Sequence, residues 1–265
     1  MTRILLVGCG KMGGAMLEGW LERGAASADI IVVEPNGPVA ARDGLRVVKA
    51  AGEVPADFSP DVVVLAVKPQ MMDAALPPLV GYAGKAVVLS IAAGKTLAYF
   101  GKALGEGTAV VRAMPNTPAA VGRGISVAVP NAKVSAEQRA ACGALLSAVG
   151  AVEWVEDEGL MDAVTAVSGS GPAYVFLLAE TLAEAGVAAG LPRPLAEKLA
   201  RATVVGSGEL LNQSPETAAK LRENVTSPNG TTFAALQVLR VETGMPGLMT
   251  RAVAAAAARS KELAG

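Results

Sequence analysis

Short runs of consecutive apolar residues, each ended by glycine, proline or a polar residue, recur through the N-terminal half of the chain. Runs that are apolar throughout are typical of strands buried on both faces of a sheet. Segments with apolar residues at helical spacing lie between several of them, as at 14–23 and 135–149, while 38–43 is at most a short helix. The predicted strands are 3–7, 30–33, 45–49, 61–67, 87–91, 110–113, 124–129 and 152–155.

The pattern changes near Asp157, beyond which we identify no strand. Apolar strands that alternate with helices indicate a parallel sheet covered by helices on both faces. The sequence therefore predicts an α/β Rossmann-type domain at 1–157, followed by an all-α domain at 158–265. The predicted helices of the second domain are 159–167, 172–190, 193–213, 215–224, 230–243 and 246–263.

A glycine-rich loop joins the first predicted strand to the first predicted helix. Gly8 permits the tight turn, Gly10 lets the backbone approach a pyrophosphate, and Gly13 lets the helix pack closely on the strand. The helix N-terminus adds partial positive charge for the phosphates, and Lys11 and Met12 of the loop are further candidate coenzyme-binding residues. This context indicates dinucleotide binding, the alternative being an ordinary turn between a strand and a helix.

Glu34 ends the second predicted strand, about 20 residues beyond the last glycine, where dinucleotide-binding proteins place the acid that binds the adenosine ribose. A carboxylate here would repel a 2′-phosphate, so Glu34 favours NADH over NADPH. The alternative is a solvated side chain at the end of a strand.

Other strands also end in segments suited to ligand binding, because ligands of such sheets lie outside the carboxyl ends of the strands. These segments should line one crevice with the glycine loop. The alternative for each is a turn that only ends a strand. Their candidate coenzyme-binding residues are Ala66, Val67, Lys68, Pro69, Ala92, Ala93 and Asn116.

Two polar turns in the C-terminal half are candidate anion sites, since the start of a helix presents unpaired N–H groups. The first is 165–174, where Ser168 and Gly171 lie beside Ser170, a candidate N-cap, and Pro172 falls in the first helical turn. The second is 226–232, where one helix ends near Val225 and the next begins near Thr231. Plain capping of a buried helix is the alternative for both turns.

Composition restricts the chemistry. The 265 residues include no histidine, which excludes an imidazole acid, base or metal ligand. The net charge of −1 gives no support to nucleic-acid or membrane-surface binding. Two cysteines form neither a disulfide framework nor a zinc site, which suits a reducing cytoplasm. We expect no signal peptide, because no cleavage site follows the first strand, and no membrane span or metal site.

Six motifs together resemble the pyrroline-5-carboxylate reductase family over essentially the whole chain, and the last two are specific to that family. They are Gly8-Cys-Gly-Lys-Met-Gly13, Ala66-Val-Lys-Pro69, Ser90-Ile-Ala-Ala-Gly94, Arg112-Ala-Met-Pro-Asn-Thr-Pro118, Val167-Ser-Gly-Ser-Gly-Pro-Ala-Tyr174 and Val225-Thr-Ser-Pro-Asn-Gly-Thr-Thr232. Asn229 stands where the family usually has glycine; asparagine tolerates a left-handed backbone, so the turn should survive. Glu34 stands where many NADPH-using members have a neutral residue.

The resemblance implies a 6-phosphogluconate-dehydrogenase-like arrangement in which the helical domain dimerises and the substrate site forms at the dimer interface. The implied activity is hydride transfer from NAD(P)H to L-1-pyrroline-5-carboxylate, giving L-proline in the last step of proline synthesis. Thr232 would hydrogen-bond the ring nitrogen, and Asn224 would lie near the coenzyme. The implied substrate-binding residues are Glu158, Ser168, Ser170, Gly171, Ser227, Gly230, Thr231 and Thr232.

The residues themselves agree with this chemistry, since a protonated cyclic imine accepts a hydride without a strong general acid. Two other functions stay open. A 3-hydroxyacid dehydrogenase would need a lysine on the helix after the Ser-Gly-Ser-Gly turn, and 173–190 contains none. The second is a non-catalytic NAD(P)-binding regulator that dimerises through its helical half.

Overall fold

The computed structural model describes residues 2–37 and 39–264. The chain forms two compact units. The first consists of Met1–Gly169 with Ala256–Gly265, and the second is Ser170–Ala255.

The first unit is built on one eight-stranded sheet whose order is β3-β2-β1-β4-β5-β6-β7-β8. Its first six strands are all parallel and follow the order 3-2-1-4-5-6 that is typical of dinucleotide-binding folds. The strands are β1 (Ile4–Val7), β2 (Ile30–Val33), β3 (Arg46–Val48), β4 (Val62–Leu65), β5 (Val87–Ser90), β6 (Val110–Met114), β7 (Gly124–Pro130) and β8 (Gly150–Trp154). All eight predicted strands are confirmed, with bounds shifted by up to two residues at either end.

The sheet departs from the predicted parallel arrangement at one edge, because β7 runs antiparallel to β6. Only a short 3₁₀ turn, Thr117–Val121, joins these two strands. A parallel neighbour would need a longer crossover connection, usually a helix. β8 follows a full helix, α4 (Ala136–Ser147), and accordingly pairs parallel to β7.

Two apolar layers cover the sheet, because successive side chains of each strand point to opposite faces. One layer contains Ile4 and Leu6 of β1 and receives Met16, Leu17 and Trp20 of helix α1 (Lys11–Glu22). The other layer contains Leu5 and Val7 and receives the short α2 (Met72–Ala75) and α3 (Leu97–Leu104). The predicted option of a short helix near 38–43 is not realised at 39–43, and Pro38 lies outside the described residues.

After Asp157 the described chain is helical. A short helix α5 (Met161–Val164) runs into one π-helical stretch, Thr165–Gly169, and then into α6 (Gly171–Ala188). The others are α7 (Arg193–Gln213), α8 (Ala218–Asn224), α9 (Thr231–Leu239) and α10 (Met245–Ala264). The predicted all-helical C-terminal part is therefore confirmed.

Many large apolar side chains of the second unit are exposed in the single chain. α6 exposes Val175, Phe176, Leu177, Leu178 and Leu182, and α7 exposes Leu195, Leu199, Val205, Leu210 and Leu211. An apolar surface of this extent is typical of an interaction site. Among the described residues, no helix combines the length and the apolar character that crossing a membrane requires.

Candidate active site

The glycine loop after β1 has the close contacts that its sequence predicts. Gly8 adopts a φ of +92°, and a Cβ atom there would lie 2.9 Å from Ala66 and Val67. A Cβ atom at Gly13 would overlap the carbonyl oxygen of Gly8 and lie 3.1 Å from the Cβ of Ala66. A side chain at Gly8 would therefore collide with the segment after β4, and one at Gly13 would push α1 away from the sheet.

Gly10 differs from these two glycines because it faces open space. A Cβ atom there would have no neighbour within 4 Å. Gly10 also precedes α1 as its N-cap and offers no side chain to bond the N–H groups of the first helical turn, Lys11 to Gly13. The loop thus leaves both the room and the unpaired donors that a pyrophosphate needs, which fits a dinucleotide coenzyme.

Glu34 reaches back from the end of β2 to the glycine loop. Its Oε2 accepts a 2.7 Å hydrogen bond from the N–H of Cys9, and its Oε1 accepts 3.1 Å bonds from the N–H groups of Asn36 and Gly37. Partial burial acts to raise the pKa of Glu34, but these backbone donors together lower it below its ordinary value. Glu34 is therefore a fixed anion beside the loop rather than a freely solvated strand end.

An apolar hollow lies beside Glu34 at the carboxyl edge of the sheet, with a volume of about 230 Å³. The hollow suits the flat, apolar face of a nucleobase. Its lining consists of Val7, Val33, Pro35, Lys49, Ala50, Ala51, Val67, Met71, Ala74, Ala75 and Pro78.

The remaining candidate coenzyme residues follow the strands next to β1. The order β2-β1-β4-β5-β6 places the segments at Ala66–Pro69, Ala92–Ala93 and Asn116 along one edge with the glycine loop. The N–H of Ala66 donates to the Val7 carbonyl at 2.8 Å, and the N–H of Ala92 donates to Ser90 Oγ at 3.3 Å. Lys68 is exposed ahead of a 3₁₀ turn that begins at Pro69.

Asn116 is partly committed to the fold. Its Oδ1 accepts a 2.9 Å hydrogen bond from the N–H of Ile125, at the start of β7. Because the side-chain oxygen is used within the fold, the N–H donors on Nδ2 remain for a ligand.

The first polar turn differs from the predicted open helix start. Ser170 does precede α6 and Pro172 lies in its first turn, but Ser170 has φ −84° and ψ −22°, and its side chain makes no capping hydrogen bond. An N-cap normally needs extended backbone, and here the π-helical stretch continues into α6. The hydroxyl of Ser168 donates at 3.0 Å to the Val164 carbonyl, so it is available to a ligand only as an acceptor in this conformation. Gly171 is the first residue of α6.

The second polar turn has the predicted form. α8 ends at Asn224 and α9 begins at Thr231, and Asn229 between them has φ +57°, so asparagine does take the left-handed position. Gly230 is the extended N-cap of α9, and no side chain caps this helix start. Its N–H donates to the Ser227 carbonyl at 3.1 Å, which closes the turn.

The hydroxyls at this turn are not equally available. Thr226 Oγ1 donates at 2.6 Å to the Arg222 carbonyl. Within the described part of the chain, the hydroxyls of Ser227, Thr231 and Thr232 make no hydrogen bond, and Asn224 Nδ2 donates to Glu216 at 2.8 Å. The turn thus holds three available hydroxyls beside uncapped backbone donors, an arrangement that suits a small acidic ligand.

Glu158 lies in the first unit and is held by contacts that its sequence position does not predict. Its Oε1 accepts from Arg112 Nη1 at 2.7 Å and from the N–H of Leu97 at 2.9 Å. Arg112 carries a charge, yet it lies within a buried strand and is only 5% exposed. A lone arginine in the run Val-Val-Arg-Ala-Met was the one available sign of this contact, and it does not identify the partner.

Two family models match this chain. Residues 158–263 match the model described as pyrroline-5-carboxylate reductase dimerisation, and residues 3–94 match the model described as NADP oxidoreductase, coenzyme F420-dependent. Among solved structures, a pyrroline-5-carboxylate reductase from Coxiella burnetii superposes with a TM-score of 0.90 at 33% identity, covering 100% of this chain and 99% of the other. The Plasmodium falciparum pyrroline carboxylate reductase, solved with NADP bound, gives 0.85 at 28% identity, covering 100% and 98%.

Curated relatives agree over the whole length. The pyrroline-5-carboxylate reductase of Synechocystis is 45% identical, covering 97% of this chain and 97% of the relative. The enzyme of the same name from Pseudomonas aeruginosa is 42% identical, covering 99% and 97%. With this identity over both halves, and with the strand order and glycine loop described above, the chain belongs to the pyrroline-5-carboxylate reductase family.

Proposed function

We propose that the chain reduces L-1-pyrroline-5-carboxylate to L-proline, with the coenzyme at the carboxyl edge of its sheet and the substrate at the turn before α9. The observation that carries the redox part is the glycine loop, which is open at Gly10 and flanked by the fixed anion of Glu34. The substrate is the one named by relatives that match the chain from end to end.

The reduction requires that the imine ring be oriented and the substrate carboxylate be bound, and it requires no strong acid. When bound, the reduced nicotinamide supplies the hydride that the imine carbon accepts. The protonated ring nitrogen donates a hydrogen bond to Thr232 Oγ1, which orients the ring without transferring a proton. The uncapped N–H groups at the start of α9, with Thr231 beside them, bind the substrate carboxylate. Ser168, Ser170, Gly171, Ser227 and Gly230 belong to the same proposed substrate set.

The proposed coenzyme preference is for NADH over NADPH. Glu34 is partly exposed and lies where the adenosine ribose of a dinucleotide would bind. A carboxylate accepts hydrogen bonds from the ribose hydroxyls of NADH, whereas a 2′-phosphate would bring two negative groups together. The proposed coenzyme contacts also include Asn224.

The proposed assembly is a homo-oligomer built on a dimer of the helical domain, 158–265. The exposed apolar side chains of α6 and α7 support it, because a partner helix would remove them from water. The proposed location is the cytoplasm, where Cys9 and Cys142, both free thiols, would stay reduced. We propose no nucleic-acid, membrane or metal partner.

Thr232→Ala tests the proposed substrate contact, with Thr232→Ser as the matched control because it keeps the hydroxyl. Loss of one hydrogen bond to a charged group is worth about 1.5–3 kcal/mol, or on the order of 10- to 100-fold. We expect Thr232→Ala to lower kcat by that factor while the KM for the coenzyme changes little, and Thr232→Ser to retain most activity. Unchanged turnover in Thr232→Ala would reject this role.

A further inference from the structure

Arg112 is a buried charge on an otherwise apolar strand. It occupies the middle of β6, is 5% exposed, and lies in register with Val129 of β7 and with Ser90 of β5. A buried guanidinium is strongly unfavourable unless it is paired and hydrogen-bonded. Arg112 Nη1 meets this requirement by donating to Glu158 Oε1 at 2.7 Å.

Glu158 uses the same oxygen atom for a second contact. The N–H of Leu97, the first residue of α3, donates to Oε1 at 2.9 Å, and a carboxylate at a helix N-terminus is electrostatically favoured. Thr96 Oγ1 accepts from the N–H of Tyr99 at the same helix start. One carboxylate oxygen therefore ties β6, the start of α3 and the segment that leads into α5.

Two of these three segments continue directly into proposed ligand-binding positions. The start of α3 follows the loop that holds Ala92 and Ala93. Within this loop, the N–H of Ala92 donates a hydrogen bond to the buried hydroxyl of Ser90. The chain after Glu158 runs through α5 and the π-helical stretch to Ser168. Glu158 is therefore connected, through short stretches of chain, to a proposed coenzyme-binding loop and to a proposed substrate-binding segment.

We propose that Arg112 and Glu158 act as one positioning pair for the reduction, with Glu158 holding the site in place rather than contacting the substrate. The proposal rests on the proposed function. Arg112 fixes the carboxylate, the carboxylate fixes the start of α3 and its preceding loop, and both coenzyme and substrate geometry depend on the pair. Because both groups act through one contact, removing either should have the same consequence as removing both.

The test compares Arg112→Lys, Glu158→Gln and the double variant with wild type, using NADH and pyrroline-5-carboxylate. Glu158→Gln keeps an acceptor oxygen for Leu97 and so provides a folded variant if Arg112→Lys is unstable. Arg139→Lys is the matched control, because Arg139 forms a 2.9 Å ion pair with Glu156 on the exposed surface. Thermal unfolding sets a temperature at which every variant is folded, and the Kd for NADH is measured without substrate.

We expect each single variant to lower kcat/KM for the substrate by about tenfold or more and to raise the Kd for NADH severalfold, with the double variant no worse than the poorer single one. Arg139→Lys should stay within about twofold of wild type. A lower melting temperature with unchanged kcat, KM and Kd would overturn the proposal, and so would damage by Glu158→Gln alone, which would indicate direct substrate contact. If wild type itself does not consume the substrate, the proposed function fails, while the NADH Kd still reports on the pair.

Discussion

The coenzyme preference depends on one carboxylate, so Glu34→Ser should reverse it. A 2′-phosphate carries a charge of about −1.5 to −2. At about 4 Å from a partly exposed carboxylate, in a water-like dielectric, this charge gives a repulsion of about 2 kcal/mol. Loss of hydrogen bonds from the ribose to the carboxylate weakens NADH binding by a further ~1.5 kcal/mol or more. Together these terms predict that the ratio of kcat/KM for NADH to that for NADPH falls by on the order of 10²-fold.

The Glu34 carboxylate also holds the N–H of Cys9 at 2.7 Å, so charge and loop order must be separated. Glu34→Gln keeps an acceptor oxygen for the loop and removes only the charge. Glu53→Gln is the matched control, because Glu53 accepts from the N–H of Lys49 at 3.2 Å on the next strand end. Steady-state kinetics with both coenzymes should show the change in Glu34→Ser and Glu34→Gln and not in Glu53→Gln. A ratio that stays within about twofold of wild type in both Glu34 variants would refute the electrostatic reasoning.

Three further changes test the fold that supports the site. Gly13→Ala would place a methyl group against the carbonyl of the loop's first glycine, so NADH titration should show binding weakened about tenfold or more, with stability lower by about 1–3 kcal/mol. Trp20→Phe leaves the buried Leu145 carbonyl without its 2.9 Å donor, and urea unfolding should show a loss of about 1–3 kcal/mol with little change in kcat. Burial and the hydrogen bond to Asp73 raise the pKa of Tyr99 to about 12. The protonated phenol of Tyr99 therefore stabilises the fold below a pH of about 10, and this stabilisation is lost as the pH rises towards 12. Unfolding of Tyr99→Phe measured over the same pH range should lack that loss.

The amino-acid sequence predicted those features of the protein that depend on residues adjacent in the chain. The strand, glycine loop and helix at Gly8–Gly13 could be predicted because each glycine answers a steric requirement that the structure confirms at Gly8 and Gly13. The left-handed position of Asn229 followed from its tolerance of positive φ. The bounds of the central strands were close because the runs at Ile4–Val7, Ile30–Val33 and Val62–Leu65 are apolar throughout and lie buried within the sheet.

Contacts between residues far apart in sequence could not be predicted. Arg112 and Glu158 are 46 positions apart, and nothing local to either one identifies the other. The carboxylate of Glu34 reaches Cys9 only because β1 and β2 pair in register. Ser170 was predicted as an N-cap from its residue type, but the π-helical stretch before it keeps the backbone helical, which depends on how the preceding turn packs.

The most direct test of the account follows a label from coenzyme to product. The purified chain is given pyrroline-5-carboxylate and NADH that carries deuterium at the transferred C4 position, and the product is examined by mass spectrometry and NMR. The account predicts one L-proline for each NADH oxidised, with the deuterium on C5 of the ring. NADH oxidation without proline, or proline without deuterium at C5, would contradict it.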